Sequence, residues 1–344
     1  MKALVYYGPS DMRMIDWKDP KPEDGEVLLK SIAVGICGSD VHGYLGLTGR
    51  RIPPMIMGHE VVAEVVENKK QGSRYKKGDL VFVDPISVCK TCENCRNGNT
   101  SICLNKKNIG VLDVDGAFCE YFKIKEENLI LLPADVPTKV GVLAEPFSVA
   151  LHGVCQLDEW QRPESIAVIG AGVIGLSTAA VLHERYPEAV IVLIDLSKKR
   201  LERGHEVLGG FLNTESLEDS TYEKMKHKYT SFGFDAVFEA VGVEPAVNGA
   251  LDLVKSKGTV VLIGNNQKNI HMNYQQIITR ELIIKGTYGF THEDLEESIK
   301  AFSRRPYAAA MIDGTISLEQ AKTAFDELAE NGENYLKLIV DPTL

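Results

Sequence analysis

The sequence predicts an α/β protein of two domains, one rich in β-strands and the other built on a doubly wound parallel sheet. At 344 residues the chain is long enough for two domains that each bury a core of their own. Short apolar runs separated by turn residues fill the first part of the chain, as expected for β-strands. After Ala144 apolar strands alternate with amphipathic helical segments, and this alternation predicts a parallel sheet covered by helices.

The first part of the chain is predicted to form short strands joined by turns. The strand sequences are ALVYY, EVLLKSIAVGIC, VVAEVVE, DLVFVD and CEYFKI. Gly8-Pro9, Asp24-Gly25 and Gly78-Asp79 lie between them and favour tight turns. Helical periodicity becomes prominent only after Ala144, so we expect strands and turns rather than helices before that residue.

Six strands are predicted in the second part of the chain, at residues 166–169, 190–194, 211–213, 235–239, 259–263 and 282–286. Between them lie segments predicted to be helical, such as KKRLERGHEVLG, LEDSTYEKMKHKYTSFG and PAVNGALDLVKSKG. Six strands joined by five crossovers form a doubly wound sheet. From Thr291 we expect one or two helices and a last strand, YLKLIVDP, which would pair with the amino-terminal β domain.

Composition excludes several classes of partner. The net charge is -10, and no long lysine- or arginine-rich cluster is present, which argues against nucleic acid and against anionic membranes. The apolar run at the amino terminus is too short for a signal peptide or a membrane span. Seven cysteines without a secretory signal indicate a reducing compartment, so we expect a cytoplasmic protein.

The stretch IAVIGAGVIGL, residues 166–176, is typical of a dinucleotide-binding turn between a strand and a helix. Gly170 permits the tight turn, Gly172 lets the backbone approach a pyrophosphate, and Gly175 lets the helix lie close to the strand. Asp195 ends the next strand, at the distance expected for an acid that binds a ribose 2′-hydroxyl. Because its charge would repel a 2′-phosphate, we predict NAD rather than NADP.

The helix that follows the turn is expected to bind the phosphates through its first residues, Val173 and Ile174. Backbone N–H groups at a helix amino terminus have no partner within the helix, and the helix dipole favours a negative charge there. The motif therefore predicts where the cofactor binds, but not which chemistry the cofactor serves.

A loop of four cysteines predicts a structural metal site. Cys89, Cys92, Cys95 and Cys103 have the spacing C-x2-C-x2-C-x7-C. Four thiolates close a tetrahedral shell around zinc and leave no position for a substrate. An iron–sulfur cluster is the rival, because it takes the same ligands. We favour zinc because the same domain carries a second set of residues suited to zinc.

That second set consists of Cys37, His59 and Glu145. A thiolate, an imidazole and a carboxylate with one open position describe a catalytic zinc site. The residues alone leave this open, since a single cysteine is usually a small buried side chain and a single histidine usually has a structural role.

The motifs GICGSDVH, GHE, the four-cysteine loop, DGAFCEY, EPFSVALHG and IGAGVIGL, in this order, resemble the zinc-dependent medium-chain dehydrogenases. The resemblance is strongest to the sorbitol and polyol branch (galactitol-1-phosphate dehydrogenase-like) and extends from the first strand to YLKLIVDP. It implies a GroES-like catalytic domain at residues 1–150, completed by 291–344, and a Rossmann domain of six strands at 151–290. It also implies an active site in the cleft between the domains.

The resemblance implies two zinc ions per chain and assigns the catalytic ligands. Cys37 and His59 match zinc ligands of the family. Glu60 and Glu145 both match family positions, and we favour Glu145 as the third ligand, with Glu60 exchanging with it or with water.

Three of the residues that follow Cys37 match family residues that serve the zinc site. Ser39 matches the hydroxyl that relays the substrate proton, and His42 matches the base that passes it to solvent. Asp40 matches a carboxylate that orients the histidine ligand. From the residues alone, turn formation is the favoured explanation of Ser39 and Asp40.

The resemblance also implies residues along the cofactor and between subunits. Val241, Gly242 and Gly264 match backbone that lines the cofactor, and Arg200 or its neighbour Lys199 is expected near the adenosine ribose. A homodimer or homotetramer is implied, with residues 282–285 as an edge for pairing between subunits.

The function predicted in this way is the reversible oxidation of a secondary alcohol to a ketone with NAD. A polyol, a sugar acid or a polyol phosphate is the expected substrate, and Arg50 and Arg51 are candidates to bind its anionic group. The same arginines could instead form ion pairs at the surface or at a subunit contact. L-Threonine or another small diol is the alternative substrate. A non-catalytic dinucleotide-binding regulatory protein and a zinc-free quinone reductase are the alternative functions.

Overall fold

A computed structural model describes residues 1–157 and 162–344 of the chain. The described chain divides into two compact units, Met1–Glu145 with Leu295–Leu344, and Pro146–Asp294. The predicted domain boundaries, after residues 150 and 290, lie a few residues from these.

The strands are β1 (Lys2–Gly8), β2 (Asp11–Asp16), β3 (Glu26–Gly35), β4 (Met55–Ile56), β5 (Glu60–Asn68), β6 (Leu80–Val83), β7 (Ile86–Ser87), β8 (Lys107–Ile109), β9 (Asp113–Val114), β10 (Tyr121–Lys125), β11 (Leu129–Leu131), β12 (Ser165–Ile169), β13 (Val190–Asp195), β14 (Leu212–Ser216), β15 (Phe234–Glu239), β16 (Val254–Leu262), β17 (Ile283–Gly286), β18 (Ile312–Ser317) and β19 (Lys337–Asp341). The α-helices are α1 (Gly38–Tyr44), α2 (Glu93–Arg96), α3 (Thr138–Gly141), α4 (Ala144–Val154), α5 (Val173–Arg185), α6 (Lys198–Leu208), α7 (Tyr222–Tyr229), α8 (Glu244–Leu253), α9 (Tyr274–Thr279), α10 (His292–Ala301) and α11 (Ala321–Asn331).

The first unit is organised around a seven-stranded sheet. Its strand order is β11-β6-β5-β3-β19-β18, and β10 also pairs with β3. The last strand, β19, pairs antiparallel with β3, placing Val340 opposite Val34. The prediction that YLKLIVDP pairs with the amino-terminal β domain is therefore confirmed.

The prediction of strands and turns alone before Ala144 was wrong at three places. The helices α1, α2 and α3 contain 7, 4 and 4 residues. Such short helices complete at most two turns, so their apolar residues cannot show the 3.6-residue period that the sequence pattern depends on.

The helix α1 is fixed in the first unit by Tyr44, which is buried at its carboxyl end. The Tyr44 ring lies 5.5 Å from that of Phe325 on α11, and its hydroxyl donates a hydrogen bond to Asp326 at 2.5 Å. The Phe325 ring also meets Phe118 edge-on at 5.6 Å. These contacts anchor the carboxyl end of α1 in the first unit.

The second unit contains a six-stranded parallel sheet with the order β14-β13-β12-β15-β16-β17. Numbered within the unit, the strand order is 3-2-1-4-5-6. This is the doubly wound order, in which the first strand lies next to the fourth. The middle strand β12 is covered on both faces, because Ile166, Ala167 and Val168 have no exposed surface. The predicted α/β fold class with a six-stranded Rossmann sheet is confirmed.

One strand boundary of this sheet differs from the prediction. The segment VKSKG was expected to extend a helix, yet α8 ends at Leu253 and β16 begins at Val254. Val254 pairs with Phe234, and the register then shifts before Thr259 pairs with Ala236. Lys257 has a φ of 60°, a bulge conformation that propensity does not reveal.

Among residues 1–157 and 162–344, no helix is both long enough and apolar enough to cross a membrane.

Candidate metal centres and dinucleotide site

The four cysteines of the predicted structural site lie together in the first unit. Their sulfur atoms are all within 4.8 Å of one another. The sulfur of Cys103 is 3.6 Å from that of Cys89 and 4.0 Å from that of Cys92. Sulfurs at the corners of a tetrahedral zinc shell are about 3.8 Å apart. The four thiols therefore fit a zinc ion, and they are too far apart to be disulfides.

The backbone of this loop turns its N–H groups towards the sulfurs. The Cys92 amide donates to the Cys89 sulfur, and the Cys89 amide donates to the Cys103 sulfur, both at 3.3 Å. Hydrogen bonds from the side chain and backbone of Thr91 and from the Cys92 amide hold the pKa of Cys89 at about 5. The thiolate form that binds metal is thus favoured at Cys89, whereas burial and the neighbouring thiols raise the pKa of Cys95 to about 12.

A second group of potential ligands in the first unit comprises Cys37, His59 and Glu60, with one ligand atom of each within 4.8 Å of the others. Cys37 is the residue that caps the amino terminus of α1, and its sulfur accepts a hydrogen bond from the Ser39 amide at 3.4 Å. Glu60 is the first residue of β5. A thiolate, an imidazole and a carboxylate fit a zinc ion with an open fourth position.

Asp40 links two of these ligand residues. One of its carboxylate oxygens accepts a hydrogen bond from the Cys37 amide at 3.3 Å, and the other lies 3.3 Å from Nδ1 of His59. Arg51 pairs with the second oxygen at 2.8 Å. Burial alone would raise the pKa of Asp40, but the charges and hydrogen bonds of His59 and Arg51 lower it to about 2. Asp40 is therefore a carboxylate at neutral pH.

Glu60 has a buried partner that the sequence did not suggest. The Lys337 ammonium group contacts both oxygens of Glu60, at 2.7 and 2.6 Å, and also donates to the Ile36 carbonyl at 3.2 Å. Lys337 is 3% exposed, which is rare for a lysine unless it is paired. Its position just before the apolar run of Leu338 to Val340 is the one signal in the sequence.

Glu145 is buried nearby but does not belong to the group of three. Burial is the main reason that its pKa is raised, to about 7, with His59 opposing the shift and Glu60 adding to it. The structure thus brings Glu60, rather than Glu145, within reach of Cys37 and His59. The assignment of Glu145 as the third ligand stays a prediction.

The residues predicted to relay a proton, Ser39 and His42, both lie on α1. Ser39 is exposed and His42 is half-buried. Their spacing of three residues places them on the same side of the helix. The sequence did not predict this helix, so their common face was not evident from the motif.

The two arginines proposed to bind a substrate anion have different environments. Arg51 is buried, pairs with Asp40 and donates to the Ser39 hydroxyl at 3.3 Å. Arg50 lies at the surface. Arg51 therefore forms an ion pair, but the pair is buried within the first unit rather than at the surface.

In the second unit, each glycine of the dinucleotide motif occupies a distinct position. Gly170 has a φ of 104°, in the region that favours glycine. A Cβ on Gly175 would lie 1.7 Å from the Gly170 carbonyl oxygen, so no side chain fits between strand and helix. A Cβ on Gly172 would meet no atom within 4 Å. The open space at Gly172, beside the amino terminus of α5, fits a bound pyrophosphate.

Backbone amides hold Asp195 next to this turn. One of its oxygens accepts a hydrogen bond from Ala171 at 2.6 Å, and the other accepts one from Ser197 at 2.8 Å. Each oxygen retains a lone pair for a ribose hydroxyl. Arg200 lies in the first turn of α6, where its amide donates to the Ser197 hydroxyl at 3.3 Å.

The loops after β15 and β16 contact each other closely, and Glu239 anchors the first of them. A Cβ on Gly264 would lie 2.0 Å from the Gly242 nitrogen, so the two backbones touch. The buried Glu239 carboxylate accepts hydrogen bonds from the amides of Val241 and Gly242, both at 2.7 Å. Glu239 was not predicted from the sequence, although a carboxylate at the end of an apolar strand was a usable signal.

Comparison with protein families identifies the chain. Residues 23–134 match the alcohol dehydrogenase GroES-like domain, and residues 174–304 match the zinc-binding dehydrogenase family. The chain is 34% identical to the L-threonine 3-dehydrogenase of Shewanella frigidimarina over 84% of both chains. It belongs to the zinc-binding alcohol dehydrogenases. The predicted resemblance to zinc-dependent medium-chain dehydrogenases is confirmed, and the protein is an oxidoreductase rather than a non-catalytic binding protein.

Two other relatives of this dehydrogenase carry names from the polyol branch. The sorbitol dehydrogenase of Bacillus subtilis is 29% identical, and the alignment covers 99% of this chain and 97% of the relative. The D-xylulose reductase of Saccharomyces cerevisiae is 31% identical over the same shares of the two chains.

Solved structures of dehydrogenases have the same fold. The 2R,3R-butanediol dehydrogenase from Bacillus subtilis matches with a TM-score of 0.87 and 27% identity, covering 99% of both chains. The galactitol-1-phosphate dehydrogenase from Escherichia coli matches with a TM-score of 0.88 at 23% identity, over 99% of this chain and 100% of that one. At that identity the second match supports the fold alone.

The glycine turn generates a prediction for two matched substitutions. Gly175→Ala should disrupt the turn, because its methyl group collides with the Gly170 carbonyl, and should lower both the melting temperature and NADH affinity. Gly172→Ala should leave the melting temperature unchanged yet weaken NADH binding at least about tenfold, or about 1.4 kcal/mol. Thermal unfolding and NADH fluorescence titration measure the two effects. Unchanged NADH affinity in Gly172→Ala would show that the pyrophosphate does not lie at this turn.

The four-cysteine loop generates a second prediction. Cys103→Ser should reduce bound zinc by about one ion per chain and lower the melting temperature, because the loop loses the cross-link that organises it. Cys155→Ser, which changes an exposed cysteine outside both groups, is the control. Metal analysis and thermal unfolding provide the measurements, and an unchanged zinc content in Cys103→Ser would contradict the assignment.

Proposed function

We propose that this dehydrogenase catalyses the reversible NAD-dependent oxidation of a secondary alcohol of a polyol, sugar acid or polyol phosphate to the ketone. The observation that carries the proposal is the grouping of Cys37, His59 and Glu60 in a member of the zinc-binding dehydrogenases. Thiolate, imidazole and carboxylate together suit a zinc ion that keeps a position open for substrate.

Each candidate residue of the first unit has a distinct role in the proposed reaction. Zinc, when bound, lowers the pKa of the substrate hydroxyl as a Lewis acid. Ser39 accepts the hydroxyl proton while its own proton moves on towards His42, which passes it to solvent. Asp40 keeps His59 oriented as a ligand, as carboxylates commonly do for metal-binding histidines. NAD, when bound, accepts the hydride from the carbinol carbon.

Glu60 and Glu145 divide the carboxylate role between them in this proposal. Glu60 is the acid grouped with Cys37 and His59, but Lys337 holds both of its oxygens and competes with a metal for them. Glu145 is a second acid, and burial raises its pKa to about 7. A bound divalent cation would favour its ionised form. Glu60 or Glu145 would therefore supply the carboxylate ligand when zinc is bound.

The preference for NAD rests on Asp195. Its two oxygens are fixed by the amides of Ala171 and Ser197, so the carboxylate cannot turn away from a 2′-phosphate. A zinc-binding dehydrogenase from Sinorhizobium meliloti, 26% identical, was solved with NADP, so a direct comparison of the two cofactors is needed for this chain.

The names of the relatives support a small polar alcohol as substrate. They include sorbitol, D-xylulose and 2R,3R-butanediol, and these favour a polyol or diol. L-Threonine is the second candidate because the 34% identical relative is an L-threonine 3-dehydrogenase. Arg50, at the surface, remains the residue proposed to bind an anionic group of the substrate.

Assembly and location are parts of the same proposal. The strand β17 lies at the edge of the six-stranded sheet, and its two isoleucines are half-buried, which suits pairing with a second copy in a homodimer or homotetramer. The cytoplasmic location expected from the cysteines stays a prediction.

A substrate screen tests the proposed function. Pentitols, hexitols, sugar acids, phosphorylated polyols, butanediol and L-threonine are each offered with NAD or NADP while the reduced cofactor is followed by absorbance. We expect turnover of a polyol or a polyol derivative with NAD. Cys37→Ser should abolish turnover and leave NADH binding nearly unchanged. Turnover restricted to simple primary alcohols would contradict the polyol assignment, and retained turnover in Cys37→Ser would refute the ligand.

The buried pair of Lys337 and Glu60 generates a further prediction. Lys337→Met should destabilise the metal-free protein by about 3–5 kcal/mol, because it leaves the Glu60 charge buried without a partner. Zinc should then raise the melting temperature more than in the wild type, since the metal replaces the missing positive charge. Lys337→Met/Glu60→Gln, which removes both charges, is the control. An equal zinc-induced shift in Lys337→Met and wild type would show that Glu60 does not meet the metal.

A further inference from the structure

Arg51 is a buried arginine directed at the residues around Cys37. Only 2% of its side chain is exposed, and its partner Asp40 has no exposed side-chain surface. Its Nε is also buried and has no hydrogen-bond partner among the described residues. A guanidinium group enclosed in this way is not available to a substrate, so its role must be sought in its protein contacts.

The first contact of Arg51 reaches both ligand residues through Asp40. Nη2 of Arg51 donates to Oδ1 of Asp40 at 2.8 Å, and the same oxygen lies 3.3 Å from Nδ1 of His59. The other oxygen of Asp40 accepts from the Cys37 amide. A carboxylate with three such partners has one orientation, and the short bond to Arg51 is the strongest of them.

The path of Arg51 across α1 depends on Gly43. A Cβ on Gly43 would lie 2.5 Å from Cδ and 2.6 Å from Nε of Arg51. Any larger residue would therefore push the arginine side chain away from Asp40. The Arg51 side chain thus packs against Gly43, one helical turn after Ser39 and Asp40, which it contacts.

The second contact of Arg51 restricts the hydroxyl of Ser39. The same Nη2 donates to Oγ of Ser39 at 3.3 Å. A hydroxyl has one proton to donate and two lone pairs, and a guanidinium can only donate. Arg51 thus occupies one lone pair of Ser39, which leaves one lone pair to accept a proton and one proton to give away. Arg51 thereby restricts the orientations in which the Ser39 hydroxyl can relay a proton.

We propose that Arg51 is a positioning residue of the zinc site, which holds Asp40 towards His59 and Cys37 and orients the Ser39 hydroxyl for proton transfer. The inference rests on the function proposed above. It replaces the substrate-anion role predicted for Arg51 from the sequence.

The test compares Arg51→Met and Arg51→Lys with Arg13→Met. Arg13 forms an exposed arginine–aspartate pair with Asp11 in the same unit, so it controls for loss of an arginine. Three quantities are measured: the rate at which a chelator removes zinc, the visible spectrum of the cobalt-substituted protein, and the solvent deuterium isotope effect on kcat.

We expect Arg51→Met to release one of its two zinc ions at least about tenfold faster, to alter the cobalt spectrum, and to increase the solvent isotope effect, with little change in KM. Arg51→Lys should recover part of each effect, because an ammonium group can donate to both oxygens. Arg13→Met should behave as the wild type does.

A second background separates the two contacts. In Ser39→Ala, adding Arg51→Met should still accelerate zinc release but should no longer change the isotope effect. A wild-type cobalt spectrum and zinc release rate in Arg51→Met would overturn the proposal, as would an effect confined to KM for anionic substrates. If Arg51→Met fails to fold, Arg51→Lys carries the test. Absence of zinc from the wild type would instead refute the proposed function itself.

Discussion

The carboxylate of Asp40 is the interaction on which the candidate zinc site depends. It accepts from the Cys37 amide, contacts His59 and pairs with Arg51, so one buried charge connects two ligands and a cation. Without those partners burial would favour the protonated acid. A protonated Asp40 would bind Cys37, His59 and Arg51 more weakly. These groups therefore act as a network, because removing Asp40 or Arg51 leaves its partner with an unpaired charge in a buried environment.

The helix α1 turns that network into a geometry. In its first turn Cys37 is the N-cap residue, and the Asp40 side chain accepts a hydrogen bond from the Cys37 amide. The hydrogen bonds that start the helix therefore also orient a candidate ligand. Its last turn is fixed by Tyr44 against Phe325 and Asp326, on a helix near the carboxyl terminus. The carboxyl-terminal segment also supplies β19 and the lysine that holds Glu60. Residues from the two ends of the chain thus meet at one candidate metal site.

The dinucleotide site follows a different principle, because backbone rather than side chains forms most of it. Gly175 allows contact between strand and helix, and the loops at Gly242 and Gly264 touch through their backbones. Glu239 holds the loop at Gly242, and Asp195 holds the glycine turn, each by accepting hydrogen bonds from backbone amides. A surface made of backbone is insensitive to side-chain chemistry, which explains why the glycine motif indicates a cofactor without indicating a reaction.

The sequence by itself determined the features whose parts lie close together along the chain. The four cysteines, the glycine turn and the alternation of strands and helices could each be recognised, because ligand spacing, turn geometry and periodicity are local properties. The short helix α1 escaped prediction because seven residues show no period. Only the tertiary structure decided which charges meet. Lys337 reaches Glu60 across 277 residues, and Arg51 meets Asp40 because a helix and Gly43 bring them together. Such pairs depend on burial, which removes water as the competing partner, and burial is a property of the folded chain.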